Sequence, residues 1–124
     1  MKNKTLITTS LIGVFTIILG AFGAHALKET LSSDFLKSFE TAVRYQMYHV
    51  IVLLFVNTTT SIAKRYQKII SYLLYTGITL FSGSIYLITI FNIDAKNIWY
   101  LTPLGGLFLI VGWITICINY IKKS

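Results

Sequence analysis

Charge is scarce in this sequence. Of its 124 residues only 12% are Asp, Glu, Lys or Arg, while 55% are hydrophobic. A water-soluble domain keeps roughly a quarter of its residues charged. Half that share leaves too little polar surface to coat a globule, so lipid is the expected solvent. Cysteine is nearly absent, and the lone Cys117 excludes an intrachain disulfide and a cysteine metal cluster. Inside an apolar run it reads as a small packing residue. The four acidic residues, Glu29, Asp34, Glu40 and Asp94, all lie outside the depths of the apolar runs. That removes the paired carboxylates of general acid–base work. A Walker loop, a His-Glu-x-x-His pair, an ordered Ser-His-Asp set and a Gly-x-Ser-x-Gly elbow are missing as well. The expectation is a protein that is not an enzyme and holds no cofactor. With no internal repeat, low-complexity tract or linker, residues 1–124 read as a single membrane domain.

What is present is basic and apolar. The formal net charge is +7, yet the cations flank apolar runs instead of forming the stripe of a nucleic-acid binder. Lys2 and Lys4 precede the first run, Lys64, Arg65 and Lys68 precede the third, and Lys122 and Lys123 follow the last. They suit the role of membrane anchors. Nucleic acid is therefore not an expected partner; the lipid bilayer is.

Four spans are expected, at about 5–27, 45–63, 69–91 and 102–121. The first has 23 residues, roughly 34 Å of helix, enough for the hydrocarbon core. Lys2, Lys4 and the Ala24-His25-Ala26 triplet also resemble a signal peptide with its cleavage site. The run is long for that purpose, and a transmembrane helix is the expectation. The second span is short in apolar residues. Val50 to Ala63 covers roughly 21 Å, so the helix must draw Tyr45 to His49 into the bilayer. Between these spans, Leu31, Phe35, Leu36, Phe39, Ala42 and Val43 recur at helical spacing. They predict an amphipathic interfacial helix lying flat over Asp34–Val43, capped by Ser33 or Asp34, with Glu40 and Arg44 spaced to pair. The fourth span is expected to start with Thr102 as N-cap and Pro103 at the first helical position, behind the interfacial anchors Trp99 and Tyr100. The fold class is thus an all-α integral membrane protein, a four-transmembrane-helix bundle with an interfacial helix between spans 1 and 2. Seven Lys and Arg residues fall on one side and four on the other, with all four acids on the poorer side. This places both termini in the cytoplasm of a bacterial inner membrane.

Polar residues gather around the start of the second span: His25, Glu40, Arg44, Tyr45, Gln46, Tyr48 and His49. An ionisable group in lipid is by default a functional hypothesis. The plainer alternative is a neutral His49 hydrogen-bonded inside the bundle, with Ser84 or the backbone near Gly20 to Gly23 as partners. Two histidines also raise a metal or haem site, but His25 stands roughly 9 Å above His49 on this count, and two ligands make a thin site. Small residues are patterned too. Gly13 and Gly20 share a face of the first helix with Ala24, Gly105 and Gly112 share one of the fourth, and Gly23, Gly83 and Gly106 add further points of close approach. In lipid, such residues let helices pack. The hydroxyls of Phe81-Ser82-Gly83-Ser84 fit the same purpose better than a polar path.

These residues also carry a resemblance. Gly20-Ala21-Phe22-Gly23-Ala24-His25, Thr41-Ala42-Val43-x-Tyr45-Gln46-Met47-Tyr48-His49, Phe81-Ser82-Gly83-Ser84-Ile85-Tyr86, Thr102-Pro103-Leu104-Gly105-Gly106 and Gly112-Trp113 occur in that order. The set resembles the bacterial membrane family called domain of unknown function 423, related to eukaryotic transmembrane protein 256. Val50-Ile51-Val52 departs from the small residues common there, so packing near His49 is expected to differ. The resemblance implies a four-helix membrane protein and brings no activity, cofactor or substrate. The leading expectation is a structural or accessory subunit of a membrane assembly, with a homo-oligomer or another membrane protein as partner. An oligomeric small-solute or proton transporter component using the His49 region is the alternative.

Overall fold

A computed structural model describes residues 2–124, the Lys2 side chain excepted, so the anchoring role expected of that side chain lies outside the described residues. All regular structure among them is helical: α1 (Lys2–His25), α2 (Ser33–Thr58), α3 (Lys64–Thr89), α4 (Ala95–Ile98) and α5 (Leu101–Lys123). Asn3–His25, Lys64–Thr89 and Ala95–Lys123 are long and apolar enough to cross a membrane. α2 is as long as α3, at 26 residues. Its first half carries Asp34, Lys37, Glu40 and Arg44, which lowers its mean hydropathy.

The long helices pack in alternating directions. Gly13 lies against Val50, Gly20 against Val43 and Gly23 against Phe39, so α1 runs antiparallel to α2. Ser82 donates to the Ala42 carbonyl at 2.7 Å, and Asn57 donates to Ser71 at 2.9 Å, which sets α3 antiparallel to α2. Gly77 meets Gly105 and Gly112 meets Leu74, which sets α5 antiparallel to α3. One end of the bundle therefore collects the start of α1, the 59–63 loop and the end of α5, the basic parts of the chain. The acidic residues lie at the other end.

Segments 33–44 and 45–58 form one helix, as the expectation of an interfacial stretch running into the second span allows. Neither Gly nor Pro interrupts residues 33–58, so nothing breaks the backbone ladder at Arg44. The cap is Ser32, one residue before the expected pair; its hydroxyl accepts from the Phe35 amide at 3.1 Å. α2 also ends at Thr58, short of Ala63, because Thr59 and Ser61 turn to bond each other. α5 begins at Leu101, one residue before the expected cap. Pro103 then occupies the third position, where an amide still has no intrahelical acceptor. Thr102, freed from capping, bonds Ser84 across the α3–α5 contact. Asn92, at φ 56° after α3, takes the left-handed turn that Asn tolerates.

Polarity is reversed relative to a soluble bundle. Ile7, Leu11, Val14, Phe15, Ile17 and Ile18 of α1 are exposed, while Thr9, Thr16, Gln46, His49, Asn57, Ser71, Ser82, Ser84 and Asn119 are buried. Among the described residues, no buried side-chain nitrogen or oxygen lacks a partner. This is the arrangement lipid demands, since the surrounding medium offers no hydrogen bonds. A small apolar core of Leu53, Val56, Ile62, Ile70, Leu74, Ile78 and Leu109 fills the basic half. Cys117 faces outward on α5, not into this packing.

Candidate functional site

The polar residues that crowd the sequence before Val50 separate in space. Successive helical residues are turned by about 100°, so α2 sends them to different neighbours. His25 and Glu40 are exposed at the acidic end. The Arg44 guanidinium donates to the Thr41 hydroxyl at 3.3 Å, so the Glu40–Arg44 pairing allowed by their spacing gives way to a bond one turn back.

Gln46 points inward. Its Nε2 donates to Thr16 Oγ1 at 2.7 Å, Thr16 donates to the Ile12 carbonyl at 2.6 Å, and the Tyr86 hydroxyl donates to Gln46 Oε1 at 2.7 Å. Each group thus donates and accepts in one direction, and the chain ties α3 to α2 to α1. Hydrogen bonds in such a series polarise one another.

Tyr45, Tyr48 and His49 face the other way, toward α5. The Trp113 indole Nε1 donates to His49 Nε2 at 3.1 Å, and His49 Nδ1 lies 2.6 Å from the Tyr45 carbonyl. An indole nitrogen only donates and a carbonyl only accepts. Nε2 must therefore hold the lone pair and Nδ1 the proton, which makes His49 a neutral imidazole with both nitrogens engaged. Protonating it would break the Trp113 bond. Neither Ser84 nor the Gly20–Gly23 backbone is its partner; Ser84 bonds Phe81 and Thr102.

Around this pair lies an open cleft of about 680 Å³, lined by Tyr45, Tyr48, His49, Ile51, Val52, Phe81, Gly106, Leu109, Ile110 and Trp113. Tyr45 stacks on Phe81 with centroids 5.0 Å apart, and Trp113 meets the His49 ring edge-on at 6.1 Å. The lining is aromatic and aliphatic, with the Tyr hydroxyls and the closed His49–Trp113 pair as its polar points. Its size is that of a small-molecule site.

His25 and His49 do not share this site. Gly13 sits opposite Val50, so His49 lies near the middle of α1, roughly 17 Å along the axis from His25. That is nearly twice the separation expected from counting residues down from Lys64, because the helices pair deeper than the apolar boundaries suggest. Among the described residues no three His, Cys, Asp or Glu side chains come together.

The glycines also divide. A Cβ on Gly105 would strike the Phe81 backbone, one on Gly112 the Leu74 side chain, and one on Gly23 the Phe39 ring. Gly13 and Gly20 have ordinary contacts, Gly106 has only Phe81 at 3.9 Å, and Gly83 faces open space. Gly77, not singled out from the sequence, is a seam residue: its Cβ would meet Leu109 and the Gly105 carbonyl. Trp113, Thr16, Phe81 and Tyr86 also went unrecognised as partners of the cluster. Phe81, Tyr86 and Trp113 lie within the ordered motifs, which was the one signal available.

A family described as "Protein of unknown function (DUF423)" matches residues 19–106. Among curated proteins, a UPF0382 membrane protein of Haemophilus influenzae is 36% identical, with 100% of this chain and 98% of the relative aligned. A UPF0382 membrane protein of Staphylococcus saprophyticus is 38% identical over 94% of this chain and 96% of the relative. The UPF0382 inner membrane protein YgdD of Escherichia coli is 30% identical over 94% and 88%. No solved structure matches. The chain belongs to the DUF423 family of membrane proteins.

Proposed function

We propose that this family member crosses the bacterial inner membrane four times, with both termini in the cytoplasm, and acts as a non-catalytic accessory or structural subunit of a membrane assembly. α2 is the fourth span in this reading. It supports that role because Gln46, His49 and Asn57 turn inward, leaving Ile51 and Phe55 exposed. The orientation rests on the basic end of the bundle, which gathers Lys64, Arg65, Lys68, Lys122 and Lys123. The accessory role rests on one observation: the buried polar groups of the described residues all have partners, and Gln46, His49, Asn57 and Ser82 use theirs to tie helices together. The partner is a second copy or another membrane protein, seated on the lipid-facing sides.

The cleft reaching His49 is the one feature that favours a transporter component instead. Its apolar lining and the closed His49 bonds weigh against a path for protons or polar solutes.

Orientation is tested with Asn3→Cys and Ser33→Cys in a Cys117→Ser chain, labelled by a membrane-impermeant thiol reagent on intact spheroplasts. Labelling at Ser33→Cys alone is expected; labelling at Asn3→Cys alone would reverse the topology. The role is tested by purifying the tagged full chain in mild detergent and crosslinking it before mass spectrometry. A stoichiometric membrane-protein or self-adduct is expected, and a monomer under gentle extraction with no adduct would overturn it.

A further inference from the structure

The upper mouth of the α2–α5 cleft carries an unusual charge. Arg44 is exposed and adjoins Val43, which packs against Gly20 of α1. Gly20 lies five residues before the end of α1 at His25, so Arg44 sits roughly 8 Å inside that end. A cation at this depth on a lipid-facing side is expensive unless an anion meets it. A guanidinium has five N–H donors, and the Thr41 hydroxyl takes one. Thr41 lies one turn above Tyr45 and two turns above Tyr48, both in the cleft wall. Neither Thr41 nor Arg44 lines the cleft itself, but the Thr41 bond fixes the guanidinium on the side of α2 that carries Tyr45 and Tyr48, with one of its donors used. Lys37 stands a further two turns up. Glu40 and Asp34 are the anions of this stretch of α2, and both lie above Arg44 toward the start of the helix, which leaves Arg44 as the innermost charge.

We propose that the α2–α5 cleft seats an anionic phospholipid, its phosphate bonded by Arg44 and one acyl chain lying down the cleft against Tyr48, Ile110 and Trp113. Each half of the site explains the other. The charge needs a fixed anion at the depth of a headgroup, and Arg presents a planar fork suited to phosphate. The apolar cleft opens sideways to lipid directly below that charge. From Arg44 to Val52 it descends eight residues, roughly 12 Å of helix, which suits a chain lying along the axis. A zwitterionic lipid brings its own cation beside Arg44, the innermost charge of α2, and is disfavoured. Lipid binding goes beyond the accessory-subunit reading and stands or falls separately from it.

Trp113 in the cleft wall reports occupancy. The full chain carrying Trp99→Phe, so that Trp113 is its sole tryptophan, is reconstituted in phosphatidylcholine vesicles. A small mole fraction of either brominated phosphatidylglycerol or brominated phosphatidylcholine is then added. Phosphatidylglycerol is expected to be preferred at Trp113 by about fivefold, the scale of one partly screened charge-assisted contact. Arg44→Gln should abolish the preference, and Arg44→Lys should keep part of it. Gly106→Leu, which leaves Arg44 in place and fills the top of the cleft, should also abolish it. Equal quenching by both lipids in the parent chain would overturn the proposal, and so would weak quenching by both, which would mean a second copy or another protein covers the cleft. These outcomes need no substitution to be tolerated beyond Trp99→Phe at an exposed position. A preference that survives either Arg44→Gln or Gly106→Leu overturns it as well.

Discussion

α5 takes part in two contacts that differ as much as any in the molecule. Toward α3 it presents Gly105 and Gly112, and the helices meet backbone to backbone, with Gly77 facing Gly105. Toward α2 it presents Gly106, Ile110 and Trp113, and the helices stand apart around an open cleft. The first contact stabilises through close packing, which in lipid must replace the hydrophobic drive available in water. The second is held by directional bonds between His49 and Trp113 and leaves room for something else. One helix thus serves as a structural joint on one face and as a site wall on the other. The two faces should respond differently to substitution.

The largest effect is expected at the joint. Gly105→Ala places a methyl group against the Phe81 backbone, which cannot rotate away as a side chain can. Overpacking of this kind costs about 3 kcal/mol or more. Thermal unfolding of the variant in detergent should show a large fall in midpoint or no folded protein. An unchanged midpoint would mean that the α3–α5 seam is looser than described.

Next comes the buried chain on the far side of α2. Gln46→Leu removes the acceptor of the Tyr86 hydroxyl and the donor to Thr16, at an expected cost of about 1–2 kcal/mol. Much of that arises from leaving the Tyr86 hydroxyl unpaired. Tyr86→Phe in the same chain should therefore recover part of the loss, and a double-mutant cycle would show the coupling. Strictly additive effects would remove the link between α2 and α3.

Much of this architecture is legible in the sequence, and the gaps have physical causes. α1, α3 and α5 stand out because each is apolar over most of its surface. α2 does not, because a helix that turns Gln46, His49 and Asn57 inward scores as polar even with an apolar outer face. The positions flanking Arg44 differ in charge, yet the backbone ladder responds to Gly and Pro, which are absent, so the polar stretch runs unbroken into the apolar one. The cluster from His25 to His49 looks like one site because its members are close in sequence. The helical turn of about 100° per residue sends Gln46 to Thr16 and His49 to Trp113. Trp113 lies 64 residues from His49, and no local pattern joins them.

At the cleft, a smaller effect is expected, and it depends on chemistry more than on volume. His49→Leu keeps an apolar side chain but leaves the Trp113 indole N–H without its acceptor, at about 1 kcal/mol. His49→Gln supplies a carbonyl oxygen in its place and should be close to neutral, with assembly retained. Trp113 emission provides the readout, since only the Leu variant removes the hydrogen bond. Loss of assembly in the Gln variant would show that the imidazole does more than hold Trp113.

The smallest effect should come from Gly83, which the sequence groups with the packing glycines and the structure does not. It lies mid-helix in α3, with nothing within 4 Å of where a Cβ would stand. An alanine there meets no neighbour, and replacing glycine inside a helix stabilises by about 0.5–1 kcal/mol through lower backbone entropy in the unfolded chain. Gly83→Ala should therefore leave the melting midpoint unchanged or slightly higher in detergent, in contrast to Gly105→Ala. The same substitution also probes the proposed assembly. If a second copy or a partner subunit packs closely on this face of α3, the methyl group that is harmless in the isolated bundle would weaken association. Crosslinking yield in the membrane would then fall while the midpoint of the monomer holds. Unchanged yield would move the partner to another face, and a fall in the monomer's own midpoint would contradict the open space around Gly83.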